Sequence, residues 1–233
     1  MSISAHIEQV RQAIAAAAQA AGRDPKSVSL IAVSKTFGPQ AVIAAADAGQ
    51  RAFGENYLQE AVDKMSAVRS ARPDLDLEWH FIGPIQSNKT RSVAEHFDWV
   101  HAVDREKIAK RLSEQRPSTL PPLQICLQVN VSGEESKSGV SPTDVIPLAR
   151  AVSAMPGLRL RGLMAIPEPS EDPLKQRAPF NQLRQLAQQL RDAGIETDTL
   201  SMGMSADMPA AIAEGATMVR IGTAIFGKRD YAK

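Results

Sequence analysis

Short apolar runs alternate with longer amphipathic segments along most of the chain. Short apolar runs between turn residues predict buried strands, whereas apolar positions that recur every three to four residues predict helices. Several runs are apolar at consecutive positions, which is typical of parallel strands covered by helices. Eight strands are predicted, at Ser29–Lys35, Arg51–Glu55, Glu78–Gly83, Trp99–Ala102, Gln124–Asn130, Leu160–Ala165, Thr199–Met202 and Met218–Ile221. The helices predicted between and after them are Pro39–Ala48, Asn56–Arg69, Asn88–His96, Arg105–Gln115, Pro142–Ala154, Leu174–Ala193 and Ala206–Glu214.

The order of these elements restricts the fold to two architectures. Strands that alternate with helices form either an open doubly wound sheet or a closed (β/α)8 barrel. Eight strands in 233 residues favour the barrel. An alanine-rich segment before the first strand predicts an extra N-terminal helix that ends at Gly22. Because no Gly/Ser-rich linker or change of composition divides the chain, we expect an α/β fold with a single barrel domain over residues 1–233.

Composition and charge exclude several classes of function. The chain is 43% hydrophobic and 23% charged, as in soluble globular proteins. A net charge of +1 and an aromatic content of 4% argue against a nucleic-acid partner. The longest apolar runs are too short to cross a membrane, and the N-terminus carries an early Glu8 and no basic start, unlike a targeting peptide. Cys126 is the only cysteine and the histidines show no metal-ligand spacing, so we expect a cytoplasmic protein without disulfide or metal.

Two cations stand at unusual places in the predicted barrel. Active-site residues of such barrels lie at the C-terminal ends of the strands. Lys35 ends the first predicted strand, where a partly desolvated amine could form a Schiff base with a carbonyl group; the alternative is a lysine that simply points into water. Arg220 lies between Val219 and Ile221, so its side chain should face the barrel interior, where a guanidinium needs acceptors. The alternative for Arg220 is a structural pair with a carboxylate.

Two loops after the last strands have the composition of a phosphate site. Gly222 and Thr223 follow the eighth strand, and the segment SMGMSAD at residues 201–207 follows the seventh. Phosphate sites recur after strands seven and eight of this architecture. Ser205 and Asp207 are also suitable helix N-caps, which is the simpler explanation for them. The chain contains neither GxxxxGK[ST] nor GxGxxG, so no common nucleotide-binding loop is present.

Other polar residues near the expected mouth have two interpretations. Asn56 follows the second strand and His80 lies in the third, and both could contact a ligand. Asn56 could equally cap a helix, and His80 could be a hydrogen-bonded core histidine. The polar loop GEESKSG at residues 133–139 is either a lid or a plain surface connection.

The predicted groups suit one small molecule. A Schiff-base lysine needs an aldehyde, a guanidinium can donate to a ring nitrogen, and the two loops favour a phosphate. Pyridoxal 5′-phosphate (PLP) carries an aldehyde, a pyridine nitrogen and a phosphate on one rigid ring.

Five segments closely resemble those of the pyridoxal phosphate homeostasis protein family, in the same order and over nearly the whole chain. They are AVSKT, FGENYLQE, WHFIGPIQSNK, SMGMSADM and VRIGTAIFG. The resemblance implies the fold of the alanine racemase N-terminal domain, a modified (β/α)8 barrel of PLP fold type III. Family members are implicated in keeping free PLP low and in supplying PLP to other enzymes, and their loss perturbs amino-acid and keto-acid balance.

The resemblance also implies roles for particular residues. Lys35 would carry PLP as a Schiff base, and Arg220 would face the pyridine nitrogen. The residues implied to hold the phosphate are Ser205, Gly222 and Thr223. The residues implied to lie near the cofactor are Asn56, His80 and Met202.

Arg220 limits the chemistry that PLP could support but still allows racemisation, and the lack of an evident acid/base group opposite Lys35 argues for a carrier. Because a guanidinium only donates, the pyridine nitrogen facing it stays largely unprotonated, which weakens PLP as an electron sink. Racemisation needs an acid/base group on each face of the substrate. Lys35 serves one face, and the other would need His80 or one of the only two tyrosines, Tyr57 and Tyr231.

We therefore expect a PLP carrier or buffer that exchanges PLP with PLP-dependent apoenzymes. We expect a monomer, because the barrel consumes the whole sequence and the second domain that builds the racemase dimer is missing. The alternatives are a small PLP-dependent amino-acid racemase, a cofactor-free Schiff-base aldolase, and a purely structural or regulatory binding protein.

Overall fold

Eight parallel strands close into a barrel in the order of the chain. The computed structural model describes residues 2–132 and 138–228. Strand β1 pairs with β2 on one side and with β8 on the other, where Ala32 lies opposite Ile221. The strands are β1 (Ser29–Val33), β2 (Ala52–Glu55), β3 (Glu78–Phe81), β4 (Trp99–Val103), β5 (Leu123–Gln128), β6 (Leu158–Met164), β7 (Thr199–Ser201) and β8 (Met218–Ile221). The prediction of a closed barrel is confirmed.

The α-helices of the described residues surround this barrel, and short 3-10 helices at Pro25–Ser27, Ser87–Lys89 and Pro142–Asp144 lie in the connections. The α-helices are α1 (Ile3–Ala20), α2 (Pro39–Asp47), α3 (Leu58–Ala71), α4 (Thr90–His96), α5 (Glu106–Gln115), α6 (Val145–Ser153), α7 (Pro173–Asp192), α8 (Met208–Ala213) and α9 (Thr223–Phe226). The predicted helices are present within a few residues at each end, whereas α9 was not predicted, because four residues are too few to show a helical period. Residues 133–137 of the predicted polar loop, and Tyr231, lie outside the described residues.

Helix α1 supports the barrel beneath the exit of β8. Its buried residues recur three or four positions apart and form one apolar stripe: Ile7, Val10, Ile14 and Ala18. Ser2 caps the helix by accepting from the backbone N–H of Ala5. Nδ1 of His6 lies 2.9 Å from the carbonyl oxygen of Ile225 in α9. Helix α1 is therefore tied directly to the short helix that follows β8.

The apolar core lies between the strands and the helices, whereas the inside of the barrel is partly polar. Alternate strand residues, such as Leu30 and Ala32 of β1, join the helices in one continuous cluster. Inside the barrel a small apolar cluster, which includes Trp99 and Cys126, lies beside buried polar side chains. Buried polar groups are costly unless they are hydrogen-bonded, so the contacts of these side chains define the candidate site. No helix in the described ranges has the length and apolar character needed to cross a lipid bilayer.

Candidate functional site

Lys35 lies in a tight turn at the C-terminal end of the barrel. Strand β1 ends at Val33, two residues earlier than predicted, and Lys35 is half-buried in the turn that follows. The next residue, Thr36, has a φ of 70°, in the left-handed region that non-glycine residues seldom adopt. Such a conformation persists only where the surrounding contacts hold it.

Four polar side chains, which we call the Lys64 cluster, hold the backbone on both sides of Lys35. The cluster consists of Ser34, Glu55, Glu60 and Lys64. Nζ of Lys64 donates to the carbonyl oxygen of Ser34 at 2.8 Å, to Oε1 of Glu55 at 2.6 Å and to Oε1 of Glu60 at 2.9 Å. The hydroxyl of Ser34 donates to Glu55 at 2.6 Å, and the backbone N–H of Thr36 donates to Glu60 at 2.6 Å.

The centre of the Lys64 cluster is a buried ion pair. Lys64 and Glu55 are both almost completely buried. Burial raises the pKa of Glu55, although the ammonium of Lys64 and the hydrogen bonds from Lys64 and Ser34 oppose this shift. The second carboxylate oxygen of Glu55, Oε2, is buried without a hydrogen-bond partner among the described residues. A buried pair of this kind is a costly way to stabilise a fold, which points to a positioning role at the turn of Lys35.

Arg220 lies inside the barrel at the same end. Its Nη1 donates to Oγ of Ser201 at 2.6 Å, and its Nη2 donates to the carbonyl oxygen of Ala165 at 3.1 Å. Among the described residues, no carboxylate forms an ion pair with this guanidinium, so the alternative of a structural carboxylate pair is not what the structure contains. Burial lowers the pKa of Arg220 to about 10, so the group remains a cation near neutral pH.

The loop after β7 turns back onto helix α8. Gly203 has a φ of 100°, and a Cβ at this position would lie 2.7 Å from Cβ of Ala211. The backbone N–H of Arg220 donates to the carbonyl oxygen of Gly203 at 2.9 Å, which joins this loop to β8. Asp207 is the N-cap of α8, but its Oδ1 accepts from the N–H of Met204 at 2.7 Å. Ser205, between these two residues, is exposed.

The exit of β8 lies against the end of β1. Gly222 separates β8 from α9, and a Cβ there would lie 3.2 Å from the carbonyl oxygen of Val33. Only a glycine gives the two backbones this separation without displacement. Thr223 follows as the exposed first residue of α9. Gly222 and Thr223 therefore lie at the same end of the barrel as Lys35, directly after the strand that neighbours β1.

Asn56 has an unused acceptor at this end of the barrel. Helix α3 begins after Tyr57, so Asn56 is not its N-cap. Oδ1 of Asn56 is buried and has no hydrogen-bond partner among the described residues. The backbone of Asn56 packs closely on Gly83 in the exit of β3, where a Cβ would lie 2.8 Å from the Asn56 carbonyl oxygen. A buried acceptor without a donor is rare and is consistent with a ligand that supplies one.

His80 contacts polar side chains inside the barrel, and Met202 lies in the apolar core. His80 is fully buried inside the barrel, with Nε2 2.7 Å from Glu78 and Nδ1 2.9 Å from His101. These contacts match the alternative of a hydrogen-bonded core histidine. Met202 is fully buried in the apolar cluster between strands and helices. The expected contacts of these two residues with a cofactor stay predictions.

Comparisons with known proteins agree with this geometry. The family described as "Alanine racemase, N-terminal domain" matches residues 6–230. A protein of Pseudomonas aeruginosa named pyridoxal phosphate homeostasis protein is 62% identical over 230 residues, which cover 99% of this chain and 97% of the relative. The structure of PipY from Synechococcus elongatus with PLP bound is 38% identical, with a TM-score of 0.83, and covers 97% of this chain and 100% of PipY.

The alanine racemase of Corynebacterium glutamicum shares the fold at 17% identity. Its TM-score is 0.69, and the match covers 95% of this chain but 61% of the racemase. The family match and the full-length relatives identify the family of this chain. The chain belongs to the alanine racemase N-terminal domain family and, within it, to the pyridoxal phosphate homeostasis proteins.

Proposed function

We propose that this protein binds PLP, holds it as a Schiff base on Lys35, and acts in PLP homeostasis as a carrier or buffer without catalytic turnover. The observation that carries the proposal is the clamped turn of Lys35, held from both sides by the Lys64 cluster at the end of the barrel where Arg220 is buried. The PLP-bound structure of PipY and the names of the full-length relatives support the same reading.

The residues at this end suit the three functional groups of PLP. The amine of Lys35 suits the aldehyde, and the guanidinium of Arg220 uses two neutral acceptors and has further N–H donors for a ring nitrogen. The close approach at Gly222 and the exposed hydroxyls of Ser205 and Thr223 suit the phosphate. Oδ1 of Asn56, which has no hydrogen-bond partner within residues 2–132 and 138–228, offers an additional acceptor.

Each of these residues has a definite task in holding the cofactor. When bound, PLP supplies a carbonyl carbon for the lysine and an electron-withdrawing ring. Arg220 orients that ring and, as a pure donor, keeps its nitrogen unprotonated, which disfavours electron-sink chemistry. The Lys64 cluster fixes the path of the backbone through Lys35 and thereby the direction of its amine.

The carrier is favoured over the racemase by the contacts of His80. Racemisation requires an acid/base group on the face opposite Lys35. Both ring nitrogens of His80 are already bonded, to Glu78 and to His101. Tyr57 is more than half exposed at the start of α3. We propose that neither residue serves the opposite face; exchange of an amino acid's α-proton with solvent deuterium at enzymatic rates would overturn this.

The covalent assignment is tested by colour and by peptide mapping. The purified protein is mixed with PLP, its visible absorption is recorded, and the complex is reduced with borohydride and digested. We expect a yellow protein with the phosphopyridoxyl group on Lys35, and no adduct in Lys35→Ala. Lys89→Ala is the matched control, because Lys89 also lies in the segment that follows a barrel strand but is exposed, whereas Lys35 is half-buried. A protein that stays colourless, or an adduct on another lysine, would overturn the assignment.

A Schiff-base aldolase would use the same amine and phosphate loops. A colourless protein that turns over an aldose phosphate would favour this alternative. If the Lys35→Ala variant still performed the protein's function in cells, a structural or regulatory protein would be favoured instead.

We also propose that the protein acts as a monomer and passes PLP to apoenzymes. Light scattering coupled to size-exclusion chromatography measures the mass of the particle. Transfer is measured as activity gained by a PLP-dependent apoenzyme mixed with the loaded protein, compared with an equal amount of free PLP.

A further inference from the structure

A continuous line of hydrogen bonds crosses the inside of the barrel and ends at Arg220. We call it the barrel relay; its members, from β8 back to β3, are Arg220, Ser201, His101, His80 and Glu78. The consecutive distances are 2.6 Å from Arg220 Nη1 to Ser201 Oγ, 2.7 Å from Ser201 Oγ to His101 Nδ1, 2.9 Å from His101 Nε2 to His80 Nδ1, and 2.7 Å from His80 Nε2 to Glu78 Oε1.

When both imidazoles are neutral, the two ends of the barrel relay fix the direction of every hydrogen bond in it. Arg220 can only donate, so the hydroxyl of Ser201 accepts from it and donates its own proton to Nδ1 of His101. His101 then carries its proton on Nε2 and donates to His80. His80 in turn carries its proton on Nε2 and donates to the carboxylate of Glu78, which can only accept. One assignment of protons therefore satisfies all five side chains.

The middle of the relay is sealed from water, whereas its far end is open. His80, His101 and Ser201 are fully buried. Burial, with smaller contributions from His80 and Arg220, holds the pKa of His101 well below its usual value, so this ring stays neutral. The side chain of Glu78 is 48% exposed, and it lines a cavity of about 680 Å³ at the N-terminal end of the barrel with Asp76, Trp99 and Arg161. The hydrogen bond from His80 lowers the pKa of Glu78, which keeps it ionised.

We propose that His101, together with Ser201, His80 and Glu78, positions Arg220 for the cofactor, so that the carboxylate at the N-terminal cavity governs PLP binding at the opposite end of the barrel. The inference rests on the proposed function, because it acts through the guanidinium that faces the pyridine ring. Ser201 holds one arm of this guanidinium, and in this proton assignment His101 accepts from Ser201 while Glu78 accepts from His80. A fully satisfied buried network of this kind favours one geometry, since any broken member leaves a buried group unpaired.

The test breaks the relay near the cofactor and at its far end. Ser201→Ala removes the acceptor of Arg220, and we expect PLP to bind about tenfold more weakly, the size of one hydrogen bond to a charged group. Glu78→Leu removes the distant acceptor, and we expect a weakening of roughly fivefold, typical of coupling between separated sites. Glu78→Gln still accepts from His80 and should restore most of the affinity. Both damaging variants should also shift the visible absorption maximum of the bound cofactor and its dependence on pH.

Two control variants remove similar groups outside the relay. Thr199→Val removes another buried hydroxyl from β7, one that donates to Asp198. Asp76→Leu removes a different carboxylate from the same cavity as Glu78. Neither should change the Kd for PLP or the spectrum.

The outcomes distinguish a failure of the relay hypothesis from a failure of the proposed function. Wild-type protein that takes up no PLP would overturn both. Wild-type protein that binds PLP, with Ser201→Ala and Glu78→Leu indistinguishable from it, would overturn the relay alone. The relay would also fail if Asp76→Leu matched Glu78→Leu, or if Glu78→Gln gave no rescue. Should Ser201→Ala not fold, the half-exposed Glu78 and its variants decide the question.

Discussion

The substitution Lys64→Met removes the cation that holds the turn of Lys35. It leaves the carboxylate of Glu55 buried without its ion-pair partner and removes the donor to the Ser34 carbonyl. Breaking one side of a buried ion pair costs about 3–5 kcal/mol of unfolding free energy. The contact of Lys64 with the more exposed Glu60 adds less than about 1 kcal/mol, because solvent screens it. We therefore expect a loss of about 3–5 kcal/mol in urea unfolding, and PLP binding weakened by at least tenfold.

The loss caused by Lys64→Met should depend on pH. Burial already raises the pKa of Glu55 in the folded protein, and removing Lys64 raises it further. A carboxyl group whose pKa is higher folded than unfolded favours the folded state at acidic pH, and this contribution is lost as pH rises through the folded pKa. In the variant Glu55 is neutral at low pH, so no unpaired charge is buried there. The destabilisation should therefore be smaller at acidic pH than at alkaline pH.

Two further variants show whether the Lys64 cluster is responsible. Lys64→Met combined with Glu55→Gln should lose less stability than the sum of the single variants, because the two residues are in contact. Lys110→Met is the matched control: Lys110 lies four residues from Glu114 in α5, as Lys64 lies four residues from Glu60 in α3, but Lys110 is exposed. A Lys64→Met protein as stable as Lys110→Met, with unchanged affinity for PLP, would refute the reasoning.

Three more predictions concern single positions. Asn56→Ala should weaken PLP binding while leaving the melting temperature of the PLP-free protein nearly unchanged, because Oδ1 of Asn56 has no partner among the described residues; loss of both properties would indicate a structural role. Gly222→Ala should destabilise the protein by about 1–3 kcal/mol and weaken PLP binding, because the alanine Cβ would crowd the carbonyl of Val33. An unchanged melting curve would contradict this. The Cys126 thiol, whose pKa burial raises to about 12, should react with a thiol reagent at pH 8 only after unfolding; rapid labelling of the native protein would contradict this.

Local patterns were sufficient to predict the barrel and the position of its two principal cations. Each strand must bury both faces, so its apolar run can be recognised without knowledge of its neighbours. The alternation of Val219, Arg220 and Ile221 directs the guanidinium inward, and the structure has it there. Lys35 was predicted as the last residue of the first strand, and the structure places it in the turn just after that strand, which ends at Val33.

The Lys64 cluster was missed because its contacts connect distant parts of the sequence. Lys64 is 30 residues from the carbonyl that it holds and 9 residues from Glu55. A charged residue in an amphipathic helix ordinarily faces water, and no local signal distinguishes the one that is buried. The spacing of Glu60 and Lys64, four residues apart, was the only available hint.

The sequence by itself therefore determined the class of fold, the order of the strands, and which end of the barrel carries Lys35 and Gly222. Those properties follow from periodicity, which each segment shows on its own. Only the tertiary structure decided which groups satisfy Arg220, and that His80 is bonded to His101 and Glu78 within the barrel. The reason is that such partners come from strands far apart in sequence, and only closure of the barrel, with its register, brings them within hydrogen-bond distance.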